Sequence, residues 1–287
     1  YSKNPRLFYL KLMLMSRGIL KAIKTENGVT ADIVKSQNIR GIISDNRLGV
    51  FNSRIPSVYI THQLELPGGI LLKFPSYYHR KAIKQFSECW IPDFPPPKNI
   101  SGKMSEGTLK GIPIRHLGPL SRFSKQDIEL KYDLLVLLSG PEPQRSLLES
   151  KLMKELDSYS GKALMVRGVV ENRIQKYRRG NITIYNYLTS SELELKLLES
   201  KVVICRSGYS SIMDLLTLEK SAFFIPTPGQ KEQEYLAKRC KNLGFAPYAK
   251  QEDFKIEMLN KVDSYSMKIR ETNQTDWDNL FSLFKGK

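Results

Sequence analysis

The sequence predicts an α/β protein of two lobes, each built on a doubly wound parallel sheet. Two observations predict it. Short, continuous apolar runs alternate with longer amphipathic ones, the signature of buried parallel strands between crossover helices. The alternation also occurs twice, interrupted by a stretch from Pro92 to Gly111 rich in Pro, Gly, Ser and Lys, with Pro95-Pro96-Pro97 inside it. The chain has 287 residues, enough for two lobes of ordinary size.

In the first lobe the runs 41–45 (GIISD), 57–61 (SVYIT) and 88–92 (ECWIP) predict strands, each ending in polar or turn residues. Helices are expected over 8–24 and 70–86, and a further short strand over 114–117 leads into Gly118-Pro119. The lobe boundary falls near residues 118–132, giving an amino-terminal lobe over 1–118 and a carboxyl-terminal lobe over 119–287. In the second lobe strands are expected at 134–138 (LLVLL), 162–166 (KALMV), 182–185 (ITIY), 202–205 (VVIC) and 222–225 (AFFI). Helices are expected at 143–159, 191–200, 209–218, 231–243 and 252–262, with a final one around 275–284. The first lobe opens at a polar turn and a helix, where a doubly wound unit begins with a strand and a glycine-rich turn. An amino lobe without its first strand is the expectation.

Composition narrows the function classes. Hydrophobic residues make up 41% and charged residues 26%, ordinary for a globular protein and unlike a disordered one. No apolar run reaches the length of a membrane span. Cys89, Cys205 and Cys240 are widely spaced and match no metal-site spacing, which favours a reducing, cytoplasmic setting. No metal-binding motif is evident at the strand ends, so no essential metal and no other cofactor is expected. The net charge is +16, and residues 1–118 carry 18 Lys and Arg against 7 Asp and Glu. Such a surface attracts phosphorylated ligands, anionic lipid or nucleic acid, or simply keeps the protein soluble. No RNA-recognition, helix-turn-helix or zinc motif accompanies it, which disfavours nucleic acid as the partner.

The residues suited to chemistry concentrate at strand ends, where ligands bind in open parallel sheets. A strand ending at Cys205 runs into Arg206-Ser207-Gly208-Tyr209 and a helix. Ser207 is placed as an N-cap, Gly208 permits close approach to the backbone, and free N–H groups at the helix start suit a diphosphate. Asp214, two turns on, either grips ribose hydroxyls or is a solvated acid on an ordinary helix. The next strand runs into Thr227-Pro228-Gly229 and a helix beginning Gln230-Lys231-Glu232-Gln233-Glu234. These side chains either read sugar hydroxyls or form a plain polar first turn. In the first lobe Asp45, Arg47, His62 and Gln63 follow two strands. His62 serves as a base near neutral pH or as a hydrogen-bonded structural histidine.

The stretch 202–246 resembles the carboxyl-lobe signature of glycosyltransferase family 28: an R-S-G turn, an acid seven residues beyond the Ser, a strand, a proline and a glutamine-rich helix start. The resemblance implies the GT-B fold, two facing Rossmann-like lobes with a cleft between them, and a final helix that packs back on the amino lobe. It implies that Ser207 and Gly208 border the donor diphosphate, that Asp214 holds the ribose, and that Gln233 and Glu234 face the donor sugar, with Arg206, Tyr209 and Gln230 also on the donor-binding side. It also implies that Ser139, Gly140 and Gln144 lie near the phosphates, with Arg167 and Gly168 after the second strand. Tyr187 and Leu188 follow the third strand, where the family holds uracil; Tyr187 serves equally well as core. This sequence departs from the pattern in having Asp214 where Glu is usual and Glu234 where a second Gln is usual, so donor-sugar identity does not carry over.

The activity so implied is inverting transfer of a sugar from a UDP-type donor to an acceptor hydroxyl; a lipid-linked acceptor at the inner membrane face would account for the basic amino lobe. His62 and Asp45 are the candidate catalytic pair, and Arg47 and Gln63 lie on the acceptor side. The family's catalytic loop follows the first strand of the amino lobe, so a chain without that loop is expected to transfer sugar poorly. A sugar-nucleotide epimerase on the same two lobes, a donor-binding module without catalysis and a basic nucleic-acid-binding protein are the alternatives.

Overall fold

The computed structural model describes residues 5–65, 73–268 and 275–285, with side chains from residue 18 onward and not at 73 and 74. The chain divides into two compact units, Tyr1–Gly118 with Asn273–Lys287, and Pro119–Thr272.

The first unit holds a four-stranded parallel sheet in the order β1 (Ile42–Asp45), β2 (Ser57–Ile60), β3 (Glu88–Ile91), β4 (Ile114–His116). Its centre is fully buried: Val58, Tyr59, Cys89, Trp90 and Ile91 are all at most 1% exposed. One face packs on Leu64, Ile83, Phe86 and Leu109. The other receives helix α7 (Trp277–Phe281) and the 3₁₀ turn Ser282–Phe284. Leu280 joins Val58, Trp90 and Leu117 there, while Phe281 and Phe284 meet the Trp90 ring edge-on at 5.7 and 6.2 Å. Gly41, just before β1, leaves room for the Phe284 ring.

Two helices of this unit differ from the sequence expectation. Helix α1 runs from Pro5 to Ser36, well past the expected end at 24 and through Gly28. Its inner stripe explains the extension. Asn27 donates to the carbonyls of Gly49 and Phe51, and Glu26 pairs with Arg47, so tertiary anchors outweigh the helix-weakening glycine. Helix α2 spans Lys73–Ile83. The expected helix start at 70–72 lies outside the described residues.

The stretch 92–111 is a loop, as its composition predicts, and a buried acid organises it. Asp93 is 0% exposed and accepts from the backbone N–H groups of Phe94, Ile100 and Ser101 and from the Ser101 hydroxyl. A carboxylate saturated in this way tolerates burial. The loop in turn presents the Met104 carbonyl to the N–H groups of Leu64 and Glu65, fixing the segment after β2.

The second unit holds a six-stranded sheet in the order β10-β9-β5-β6-β8-β7. The strands are β5 (Tyr132–Leu137), β6 (Ala163–Val166), β7 (Lys176–Arg179), β8 (Ile182–Tyr185), β9 (Ser200–Cys205) and β10 (Ser221–Phe224). All pairings are parallel except β7 with β8. Helices α3 (Gln144–Leu156), α4 (Ser190–Leu198), α5 (Tyr209–Thr217) and α6 (Lys231–Asn242) make the crossovers. Thr189 and Glu192 form a capping box at the start of α4. Leu134, Val136, Met165, Ile184 and Ile204 form the heart of the core. The segment expected to be a helix over 252–262 is a 3₁₀ helix, Ile256–Ser264. Strand β7 was not expected at all, because Lys-Tyr-Arg-Arg carries no apolar run.

Candidate active site

In the second unit the predicted residues gather in the loops beyond the carboxyl ends of β5, β6, β8, β9 and β10. After β5, Ser139 and Gly140 are exposed, and Gly140 sits at φ +101°, a conformation glycine adopts without strain. After β6, Arg167 donates to Glu149 on α3, and Glu149 also accepts from Arg145. Gly168 has φ +71°, and a Cβ there would lie 2.6 Å from the Leu138 carbonyl oxygen. The β5 and β6 loops therefore touch at a glycine. After β8, buried Asn186 accepts from the N–H groups of Gln175 and Tyr187 and donates to Glu171 and to the Arg173 carbonyl. Tyr187 and Leu188 follow it, half-buried.

Arg206 departs most from its sequence reading. It is 1% exposed and does not face solvent. Its Nη1 donates to the carbonyls of Ile225 and Pro226, and its Nη2 to the Gln144 carbonyl and to Gln251 Oε1. The guanidinium is thus a staple joining the ends of β9 and β10 to the start of α3. Burial pulls its pKa down to about 10, so it stays charged at neutral pH. Ser207 differs too. Its hydroxyl donates to the Gln233 carbonyl, and Gly208, in extended conformation, is the N-cap of α5. No side chain caps that helix, which leaves its first N–H groups to a ligand. Tyr209 is buried in the first turn.

Asp214, half-buried on α5, accepts the Ser121 hydroxyl at 2.6 Å. Burial raises its pKa, while the Ser121 hydrogen bond and the Arg122 charge pull it back down. In the turn after β10, Gln233 Oε1 accepts from Thr227 N–H and Glu234 Oε1 from Gly229 N–H. Gln230, half-buried, is the N-cap of α6. Gln233 and Glu234 therefore shape this turn as well as lying beside it. Arg206 Nε, the Thr227 hydroxyl and Gln144 Oε1 are buried with no partner. All three belong to the region that Arg206 ties together, and buried polar groups left open in this way mark a place where a polar ligand completes the bonding. Thr227 and Ser121 escaped the sequence reading. Thr227 stood in plain view in the Thr-Pro-Gly turn, but Ser121 carries no local signal.

In the first unit Asp45 and Arg47 are exposed at the end of β1, and Arg47 is held by Glu26 at 2.6 Å. Asp45 pairs in register with Ile60, so His62 lies two residues beyond its neighbour on the adjacent strand. His62 is half-buried, with its Nε2 3.1 Å from Gln63 Nε2. The Gln63 carbonyl meets His79 Nε2 at 3.0 Å.

Residues 159–284 match the Glycosyltransferase family 28 C-terminal domain. Over 256 residues the chain is 27% identical to the UDP-N-acetylglucosamine–N-acetylmuramyl-(pentapeptide) pyrophosphoryl-undecaprenol N-acetylglucosamine transferase of Sulfurihydrogenibium sp. (strain YO3AOP1), covering 83% of this chain and 69% of that protein. Among solved structures it resembles Acinetobacter baumannii MurG at 15% identity, with a TM-score of 0.51 over 87% of this chain and 70% of that one. It also resembles Arabidopsis thaliana UGT89C1, complexed with UDP-L-rhamnose, at 10% identity, with a TM-score of 0.61 over 96% and 78%. With two Rossmann-like units, the chain is a glycosyltransferase of the GT-B class. The likeness to glycosyltransferase family 28 lies in its carboxyl-terminal part, residues 159–284.

Proposed function

We propose that the second unit binds a UDP-type nucleotide sugar, and that the enzyme transfers the sugar to a hydroxyl of a lipid-linked acceptor with inversion at the anomeric carbon. One observation carries the donor assignment. The start of α5 at Gly208, just beyond the carboxyl end of β9, carries no side-chain cap, so its first N–H groups are left to a ligand. A helix start of this kind suits a diphosphate, which supplies acceptor oxygens only. Asp214, five residues into the same helix, takes ribose hydroxyls.

In the transfer the acceptor oxygen forms its bond to the anomeric carbon as the bond to the diphosphate oxygen breaks. UDP leaves with the electron pair, stabilised by the α5 N–H groups, and a base takes the acceptor proton. His62 is our candidate base, with Asp45 as its candidate partner and Arg47 and Gln63 on the acceptor side. No resident metal or other cofactor is part of this reading. A place at a membrane surface is supported by the similarity to a transferase of a pyrophosphoryl-undecaprenol substrate. Exposed Tyr77 and Tyr78 on α2, next to exposed Lys81 and Lys84, also support it. Aromatic rings and cations side by side suit an anionic lipid surface. No helix among the described residues is long and apolar enough to cross a membrane.

The test is titration calorimetry of UDP against the full chain and Asp214→Ala. Removing a charged hydrogen-bond acceptor costs about 1.5–3 kcal/mol, so the dissociation constant should rise about 10- to 150-fold. Unchanged affinity would remove Asp214 from the site.

A further inference from the structure

We infer that Ser121 is a positioning residue for the ribose-binding carboxylate, holding one Asp214 oxygen so that the other is presented to the nucleotide; this rests on the donor reading above. The two residues lie 93 positions apart, yet the Ser121 hydroxyl donates to Asp214 Oδ1 at 2.6 Å. The same hydroxyl oxygen accepts the Phe123 N–H at 3.0 Å, which fixes where its proton points. The segment after it is held to its own unit at several residues. Phe123 is 3% exposed, the Arg122 guanidinium lies 4.9 Å from its ring centre, Ser124 N–H donates to Glu194, and Lys125 pairs with Glu219 at 2.8 Å. A hydroxyl on so constrained a segment is a fixed donor.

The consequence concerns how a short acid reads a sugar ring. Aspartate has one methylene less than glutamate, so its carboxylate must be aimed correctly to reach two vicinal hydroxyls. Ser121 supplies that aim by fixing the rotation of the carboxylate, while Oδ2 remains open. The side chain of α5 thus arrives at the ligand already ordered, and less rotamer freedom is lost on binding.

Binding of UDP and of 2′,3′-dideoxy-UDP should be measured by calorimetry on the full chain and on Ser121→Ala, Ser121→Thr and Asp214→Ala. Ser121→Ala should weaken UDP about 3- to 10-fold, the scale of one lost hydrogen bond. It should leave dideoxy-UDP unchanged, since that ligand offers Asp214 nothing to hold. Ser121→Thr should restore UDP binding to within about twofold, because the hydroxyl returns. An equal loss for both ligands would show that Ser121 merely supports the fold and would overturn the proposal. So would UDP affinity that Ser121→Ala leaves intact while Asp214→Ala reduces it; in that case the ribose assignment stands alone. If Asp214→Ala has no effect on UDP, the ribose assignment fails and the proposal falls with it.

Discussion

Replacing Arg206 by Met distinguishes a ligand contact from a structural staple. The substitution keeps most of the side chain's length and removes every donor. Four hydrogen bonds disappear: those to the carbonyls of Ile225, Pro226 and Gln144, and that to Gln251. Each is worth about 1 kcal/mol net, and the site is closed to water, so about 3–4 kcal/mol of stability should be lost. The cost of burying the cation, visible in its pKa drawn down to about 10, keeps the figure from rising higher. In a unit of this size each kcal/mol moves the melting midpoint by about 2–4 °C, so a fall of about 6–16 °C is expected. Urea unfolding followed by circular dichroism, with and without UDP, reads the effect directly. A variant that melts within about 2 °C of the parent yet no longer binds UDP would refute the staple and return Arg206 to the ligand.

Two further outcomes follow from single positions. Gly168→Ala should destabilise the second unit by about 1–3 kcal/mol in the same unfolding assay, since it needs φ +71° and sets a methyl against the Leu138 carbonyl; a neutral result would mean the β5 and β6 loops part easily. Burial lowers the His79 pKa below its ordinary 6.5, with the Gln63 carbonyl and Glu65 opposing the shift only in part. The native state therefore binds fewer protons than the unfolded chain just below pH 6.5, and the first unit should lose stability as the pH falls through that window. His116, also lowered by burial, acts in the same direction, so His79→Gln should flatten the pH dependence of the melting midpoint in part; an unaltered profile would contradict the assignment.

The fold was legible where burial writes itself into the sequence. The runs VVIC and LLVLL are continuous because both faces of β9 and β5 are covered, and they were found to within a residue or two. The Arg206-Ser207-Gly208 turn was legible as a strand-to-helix junction for the same reason. What stayed hidden depends on distant partners. Nothing local tells that Arg206 serves carbonyls 19 to 62 residues away, or that Ser121 reaches Asp214. Ser207 looked like a cap because its type suits one, yet Gly208 takes the N-cap position and the Ser207 hydroxyl donates to the Gln233 carbonyl on α6. Helix α1 outran its expected end because anchors at Asn27 and Glu26 outweigh the local preference of Gly28.

Strand β7 makes an antiparallel hairpin with β8 across Gly180-Asn181 and forms one border of the second sheet, with all four residues exposed and three of them cationic. At the opposite border, Tyr248 bridges to Phe224 of β10. A row of like charges repels any approaching copy of itself, and a laid-over segment leaves fewer open backbone groups to copy. A sheet finished in this way at both borders lets molecules of the protein collide without pairing edge to edge.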